Sequence, residues 1–465
     1  MASFSSLNTA LSAMRYQQVV LDVSSTNIAN GGTDGYVRRR VVGETVGAPA
    51  TPAIWSRTNE IGAGVRASGV DRMVDQYLDN RGRAEHAKQS YLDVQADALA
   101  RVETGLAEPG GNGVSGALAD FRSTLHDLVN APGSDAARSQ VLSSANTLAD
   151  AIRLQARNLA DEAGDQRSRL IATVQEVNDT ATQLAATNHS IAAASLTEGD
   201  TASLLDERDR LSMKLAELTG GTAKIRDDGG MDVEVRGVSL VAGTTTQQLQ
   251  IAAGVNPDGT ADGNPTAYTI GATAVTGLSG DVGGISDLLD HKLPDHLAGL
   301  NAIAKQLADD INLQHTQGYD ATGAAGTATF FDYTDPDVAA SLTVGITDPK
   351  QLAASSQPKD PASPVMVLDT GNADALIGAI KVDDGYQRLV NQFGTVVAST
   401  KRLAANQQAL TSQIDSSREQ LAGVSLDEET VNMLSAQRAY EAAARVMTTI
   451  DSMLDTLINR TGMTR

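Results

Sequence analysis

Two segments at opposite ends of the chain place apolar residues on alternating steps of three and four. At the start these are Phe4, Leu7, Leu11, Met14, Leu21 and Ile28, interrupted by Gln18 and Ser25. Near the end they are Ala436, Ala439, Ala443, Val446, Ile450, Met453 and Leu457, and Met433, Tyr440, Met447 and Leu454 widen that stripe at seven-residue spacing. Such spacing is the a/d seam of helices that pack coiled-coil fashion. A single stripe of this width does not repay the entropy of ordering its own helix, so each end needs cover from outside itself. The two ends pair with each other, with other copies of the chain, or with both, and their length and terminal position favour packing between subunits. Ser425 and Glu428 have the S-x-x-E spacing of a capping box ahead of the second helix, and Gly462 follows its last turn.

The first seam runs into a punctuated passage, SSTNIANGGTDGYVRRR, residues 24–40. Asn30, Gly31 and Gly32 stop the helical pattern. Asn and Gly tolerate left-handed backbone and bond locally, so the stretch from Asn27 to Tyr36 reads as a turn that redirects the chain. Residues 37–69, with Pro49, Pro52, Gly62 and Gly64, read as strands and loops. From about 70 to 219 the pattern is helical. One helix carries Val74, Leu78, Tyr91, Leu92, Leu99 and Val102 and closes near Gly105 and Pro109. A second carries Leu118, Phe121, Leu125 and Val129 and ends at APGS. A third opens near Asp135, with Gly164 as a candidate break, and a fourth holds Leu204, Leu211 and Leu215 before Gly220 and Gly221.

Residues 221–284 change period. MDVEVRGVSLVAG alternates by two, among turn signals rich in Gly, Asn-Pro and Asp-Gly. Helical pattern returns over about 285–318. Residues 320–370, with Pro336, Pro349, Pro358, Pro361 and Pro364, are mixed. The last helical run starts near Ala373 and breaks at Gly423. The fold class is therefore mainly α with an inserted β domain and long terminal helices paired coiled-coil fashion. The expected division is 1–65 pairing with 420–465, a helical middle domain in two parts, 66–220 and 285–419, and the β domain at 221–284. A chain of 465 residues is long enough for roughly two to four domains.

Composition removes several classes of function. The net charge of −21 repels nucleic acid and anionic membrane, so neither is an expected partner. No cysteine is present, which removes thiolate nucleophiles, disulfides and Cys-ligated metals. No basic stretch followed by an apolar run opens the chain, so no cleaved secretory signal is expected. No apolar run of about 18 residues exists to span a bilayer. Aromatic residues make up only 3%, and alanine supplies much of the apolar content, which favours close helix packing.

The candidate chemistry is thin. GGNGVSG, 110–116, has the G-x-G-x-x-G spacing at Gly111, Gly113 and Gly116, but a helix and Pro109 precede it where a dinucleotide fingerprint needs a strand, so it reads as a loop between helices. His291 and His296 in HKLPDH lack a ligand spacing and read as solvated. His86, His126, His189 and His315 are scattered, with no acid and nucleophile beside them. RDDGGMD, 226–232, and NPDGTADG, 256–263, lack the closing glutamate of a calcium loop and read as turns. VRRR, 37–40, is a basic cluster in an acidic chain, either a solvated strand edge or a contact to an acidic neighbour. NRGRAEHAK, 80–88, reads as a charged helix face. No catalytic residue, cofactor or metal site is expected.

Ser25, Asn27, Ile28, Ala29, Asn30, Thr33, Gly35 and Tyr36 carry a pattern that resembles bacterial flagellar axial proteins: an apolar helix, an S-x-N-I-A-N turn, then T-x-G-Y. SLLDERDRLSMKLAELTG, 203–220, resembles the L-x-D-x-R-D-x-L segment of the hook-associated protein 1 family. GNGVSGALADFRSTLHDLVNAPGSDAARSQVL, 111–142, is similar to that family's helix pair, and SLDEETVNMLSAQRAYEAAARVMTTIDSMLDTLIN, 425–459, to its C-terminal helix. The resemblance covers most of the chain and is weakest over 221–284 and 320–370. It implies an inner α-domain of paired terminal helices, a helical middle domain around it, and a small β domain facing outward. It further implies a non-catalytic structural adaptor at the hook–filament junction, exported largely unfolded by the flagellar type III apparatus. Its location would be extracellular, on the flagellum, and cytoplasmic before export. The implied partners are a ring of copies of itself, hook protein, the next hook-associated junction protein on the filament side, and an export chaperone at the C-terminal helix.

Three rival readings follow from the same residues. A hook or rod protein would share the terminal seams, but hook proteins are mostly β between their termini, and LLDERDRL with the long helical middle argues against it. A secreted adhesin would not need its ends to pair. An enzyme carried on a flagellar scaffold would need paired carboxylates or a triad, which the sequence does not offer.

Overall fold

The computed structural model describes residues 2–47, 64–108, 110–111, 113–197, 199–326, 329–358 and 369–460, and side chains within 6–456 of these. The readings above for Pro49, Pro52, Gly62, Pro109, Pro361, Pro364 and Gly462 lie outside the described residues, as do the side chains of Phe4 and Leu457. The chain opens with α1 (Ala2–Asn30), which turns through Gly31–Arg38 into β1 (Arg39–Val46). β1 pairs antiparallel with β2 (Gly64–Arg72), from Arg39 opposite Arg72 to Val46 opposite Gly64, with one bulge at Val42 and Gly43. This hairpin lies on α1, where the Val65 N–H donates to Ser12 Oγ at 3.3 Å, and β2 runs past the expected boundary at 65.

Four helices follow: α2 (Gln76–Leu106), α3 (Val114–Asn130), α4 (Asp135–Leu196) and α5 (Ala202–Thr219). Asp75 caps α2 by accepting from the N–H groups of Tyr77 and Leu78, and Ser134 caps α4 through Ala137 N–H. α4 runs 62 residues without the break expected at Gly164. An interior glycine costs a helix about 1 kcal/mol. Burial of Ala156, Leu159, Leu170 and Val174 on both sides, with Arg101 held bidentate by Glu162 at 3.0 and 2.7 Å, outweighs that cost.

Between α5 and α6 (Gly280–Asp287) lies the β region. β3 (Thr222–Ile225), β4 (Met231–Val235), β5 (Val238–Ala242) and β6 (Thr245–Thr246) form one antiparallel sheet. β7 (Leu249–Ala253), β8 (Ala267–Ile270) and β9 (Thr273–Val275) form another. Met231, Val233 and Val235 are buried at period two, as the alternation predicts. Two asparagines of α4 act as docking points for strand backbone. Asn188 bonds both the N–H and the carbonyl of Met231, at 2.9 and 2.8 Å, and Asn178 does the same for Leu249, at 2.8 and 3.0 Å. The β region is thus fastened to the helical middle. In RDDGGMD and NPDGTADG the acids serve the turns: Asp228 accepts from Gly230 N–H, Asp258 from Thr260, and Asp262 from Gly254 and Asn264.

A π turn over Leu288–Lys292 joins α6 to α7 (Leu293–Thr316). The mixed segment holds β10 (Phe331–Asp332), α8 (Val338–Ser341) and β11 (Thr343–Val344), with β10 and β11 paired. It is followed by α9 (Gly371–Ala379), α10 (Asp383–Ala422) and α11 (Leu426–Arg460), the last two separated at Gly423 as the sequence predicts. One continuous apolar core runs from Val94 of α2 to Val397 of α10. Near its centre the Phe121 ring sits 5.8 Å from Phe330 and 6.1 Å from Phe331.

Two expectations from charge fail here. His296, read as solvated, is 5% exposed, with its ring 4.5 Å from that of Phe393. NRGRAEHAK is not a free charged face: Arg83 is 5% exposed and donates to Ser212 and Asn80, and His86 is bracketed by Glu217 and Asp415. In each case the helix turns the polar group toward a packed neighbour, which a single-helix pattern does not reveal.

Candidate assembly site

α1 packs along α11, and neither helix contributes to the main core. Among the described residues of the two, the buried apolar side chains are Ala10 and Ala436. Leu7, Leu11, Met14, Leu21 and Ile28 on α1 are half-buried, as are Met433, Met447, Ile450 and Leu454 on α11. Tyr440 sits at the rim, 38% exposed. Val446 and Met453, which the three-four stepping puts in the seam, instead face outward at 51% and 60% exposure. They face outward because the covered line follows the other three-four register of the helix, Met433, Ala436, Ala443, Met447, Ile450 and Leu454. The Leu457 side chain lies outside the described residues. The pair is therefore joined along one line and open on either side of it.

At one end the pair is also joined by a polar cluster. Asn27, fully buried, lies within α1, one turn before its end. Its Nδ2 donates to the Arg39 carbonyl at 2.8 Å and to Glu429 Oε2 at 3.1 Å. Its Oδ1 accepts from the Tyr36 hydroxyl at 2.8 Å and the Arg39 N–H at 3.0 Å. One amide thus ties together α1, the returning strand and the first turn of α11. Glu429, 2% exposed, also receives Arg38 at 2.9 and 2.8 Å, and Arg38 reaches Glu428 at 2.9 Å. The expected capping box is thus only half formed. Ser425 Oγ accepts from Glu428 N–H at 3.4 Å, while the Glu428 carboxylate turns to Arg38. Backbone bonds from Arg38 N–H to Ala422 and from Met73 N–H to Arg38 complete the knot.

The turn itself departs from the expected chemistry. Only Gly35 within it takes a left-handed backbone, φ +76°, against the Arg210 side chain. Asn30 stays helical and donates back to the Thr26 carbonyl at 3.0 Å. The asparagines of the motif are there for side-chain bonds. The Arg39 guanidinium lies 5.2 Å from the Tyr36 ring centroid, and burial raises the Tyr36 pKa.

VRRR is a docking strip for acids, the second of the two readings given for it. Arg39 reaches Asp206 at 3.4 Å and Asp200 at 3.7 Å, and Arg72, opposite it on β2, binds Asp206 and Asp209 at 2.7 and 2.8 Å. Burial raises the Asp206 pKa against the opposing pull of Arg72 and Arg39. Glu429, Asp206 and Arg72 were not singled out from sequence. The available signal was a basic run in an acidic chain, which calls for acidic partners without naming them.

Because both seams are half-covered, the amides of α1 and of the outer half of α11 should exchange rapidly in the isolated chain, while those of α3 and α4 stay protected. Hydrogen exchange read by mass spectrometry checks this. Protection of both ends equal to that of α4 would show that the pair needs no further cover.

The family described as Flagellar hook-associated protein FlgK helical domain matches residues 99–331, and that described as Flagellar basal body rod FlgEFG protein C-terminal matches residues 420–460. Flagellar hook-associated protein 1 of Bacillus subtilis (strain 168) is 28% identical over 99% of this chain and 99% of its own length. Its counterpart in Escherichia coli (strain K12) is 24% identical over 97% of this chain and 99% of its own. The solved structure of the flagellar hook junction protein FlgK from Burkholderia pseudomallei aligns at a TM-score of 0.60 and 17% identity, over 74% of this chain and 100% of that one, a likeness of fold.

Proposed function

Since this chain belongs to the FlgK family of flagellar hook-associated proteins, we propose that it assembles at the hook tip and joins hook to filament. It is a structural component of the bacterial flagellum. In this reading 1–65 and 420–465 form the inner axial unit, 66–220 with 285–419 the middle domain, and 221–284 the outward β domain. Copies pack side by side through the open flanks of α1 and α11. Leu7, Leu11, Met14 and Leu21 on one helix, and the Val446–Met453 flank of the other, supply the apolar contact. Hook protein lies on one side of the ring, and the next hook-associated protein on the other. The chain performs no catalytic step. It leaves the cytoplasm through the flagellar export apparatus, with a chaperone covering the α11 seam until then.

The observation that carries this reading is the pair α1 and α11, sealed by a buried polar knot at one end yet left apolar and half-open along its length. An intramolecular core would close that surface. A half-open one is what a lattice of copies covers.

The test is a strain lacking this chain, examined by electron microscopy of the cell surface together with an assay of flagellin in the medium. Bare hooks with free flagellin are expected. Absent hooks would place the protein lower on the axis, as hook or rod, and normal filaments would overturn the structural reading.

A further inference from the structure

Two short connections carry the chain between the axial pair and the middle helices: Met73–Asp75 from β2 into α2, and Gly423–Ser425 from α10 into α11. Two such connections side by side make a hinge unless something braces them. The brace lies in the segment DERD of α5. Asp206 and Asp209, three apart, share one helix face. Arg72 spans both, at 2.7 and 2.8 Å, and Arg39 joins at Asp206. The Arg72 side chain is 7% exposed and those of Arg39 and Asp206 12% each, so solvent screens these pairs little. Arg208, between the two acids, binds Asp209 and donates to the Gly229 carbonyl in the β3–β4 turn. The charged groups of Asp206, Arg208 and Asp209 thus reach two other parts of the molecule, while those of Glu207 and Arg210 pair with each other, the Arg210 stem lying against Gly35.

We propose that Asp206, Arg208 and Asp209 form a joint lock, which holds the axial hairpin through Arg39 and Arg72 and the outer β region through Gly229, and so fixes the angle between the axial pair, the middle helices and the β region. The purpose of the lock rests on the adaptor reading, since a subunit between two different lattices must carry torque across this joint. Its existence does not.

The absence of cysteine allows clean labelling of the full chain. Spin labels at Thr45→Cys on the hairpin and Gln183→Cys on α4, both exposed positions, report the joint. A single narrow distance distribution is expected, broadening into several distances in Asp206→Asn/Asp209→Asn. A reference pair at Gln183→Cys and Thr395→Cys, within the middle helices, is expected to stay narrow. Unchanged width at the joint would overturn the lock, and so would broadening of both pairs, which would make the acids general stabilisers. Should the double variant fail to fold, Arg72→Lys, which keeps the charge but loses the bidentate fork, is read by the same criteria. The measurement uses purified chain, so its outcome is separate from whether the deletion strain shows bare hooks.

Discussion

Replacing Asn27 with leucine is expected to separate the axial pair while leaving the middle domain folded. Leucine is close in size, so the change removes bonds without leaving a large void. It removes the partners of the Arg39 N–H and carbonyl and of the Tyr36 hydroxyl, which are part-buried, and takes one donor from the buried Glu429. Each buried polar group left unpaired costs about 1–3 kcal/mol, so a local loss of about 3–5 kcal/mol follows. Asn27→Asp should be no milder, because a carboxylate cannot donate to the Arg39 carbonyl and faces Glu429. Asn30→Ala is the informative contrast. Its side chain makes one bond, to a carbonyl of its own helix, and the change should cost no more than about 1 kcal/mol. The readout is hydrogen exchange across β1, β2 and the first turns of α11, which the knot touches, with α3 and α4 as reference. If Asn27→Leu kept wild-type protection there, the knot would not be what joins the ends.

The two asparagines also show what sequence can and cannot convey. Both belong to the same motif, and composition gives both the role of breaking a helix. Only the fold separates the buried cross-link from the local bond, because the partners of Asn27 lie 12 residues on, at Arg39, and 402 residues on, at Glu429. Local pattern served well where the neighbours were local. The α3 face of Leu118, Phe121 and Leu125, the period-two burial of β4 and the break at Gly423 are all visible in short windows. It failed where the deciding contact was distant. Gly164 looked like a stop because the core that holds α4 straight is supplied by other helices. Phe330 and Phe331 looked like part of an irregular segment, yet they fill the centre of the core against Phe121. VRRR had two readings until Asp206 and Glu429 were brought beside it.

Histidine gives the second large effect, and it has a definite sign. His296 sits in the second turn of α7 against Phe393, and its Nε2 finds no partner among the described residues. Burial alone lowers its pKa from the ordinary 6.5 to about 4, so it is neutral in the folded chain. As pH falls below 6.5 the unfolded chain takes up a proton that the folded chain refuses, and stability drops by about 1.4 kcal/mol per unit until the folded value is reached. By pH 4 the accumulated loss from this one residue is about 3 kcal/mol. His86 works in the opposite direction. Its two ring nitrogens face Glu217 at 3.3 Å and Asp415 at 3.0 Å, from α5 and α10, and the bond to Glu217 leads in raising its pKa despite burial. A histidine with a raised folded pKa stabilises fully below 6.5 and loses that contribution as pH rises through the folded value. The two act in different places, so the substitutions separate them. His296→Leu should reduce the fall in urea midpoint of the middle domain between pH 7 and pH 4, while His86→Gln should deepen it by removing a compensating term. An acid response of His296→Leu identical to wild type would mean that the ring is solvated in the folded chain, and the packing against Phe393 would have to be wrong.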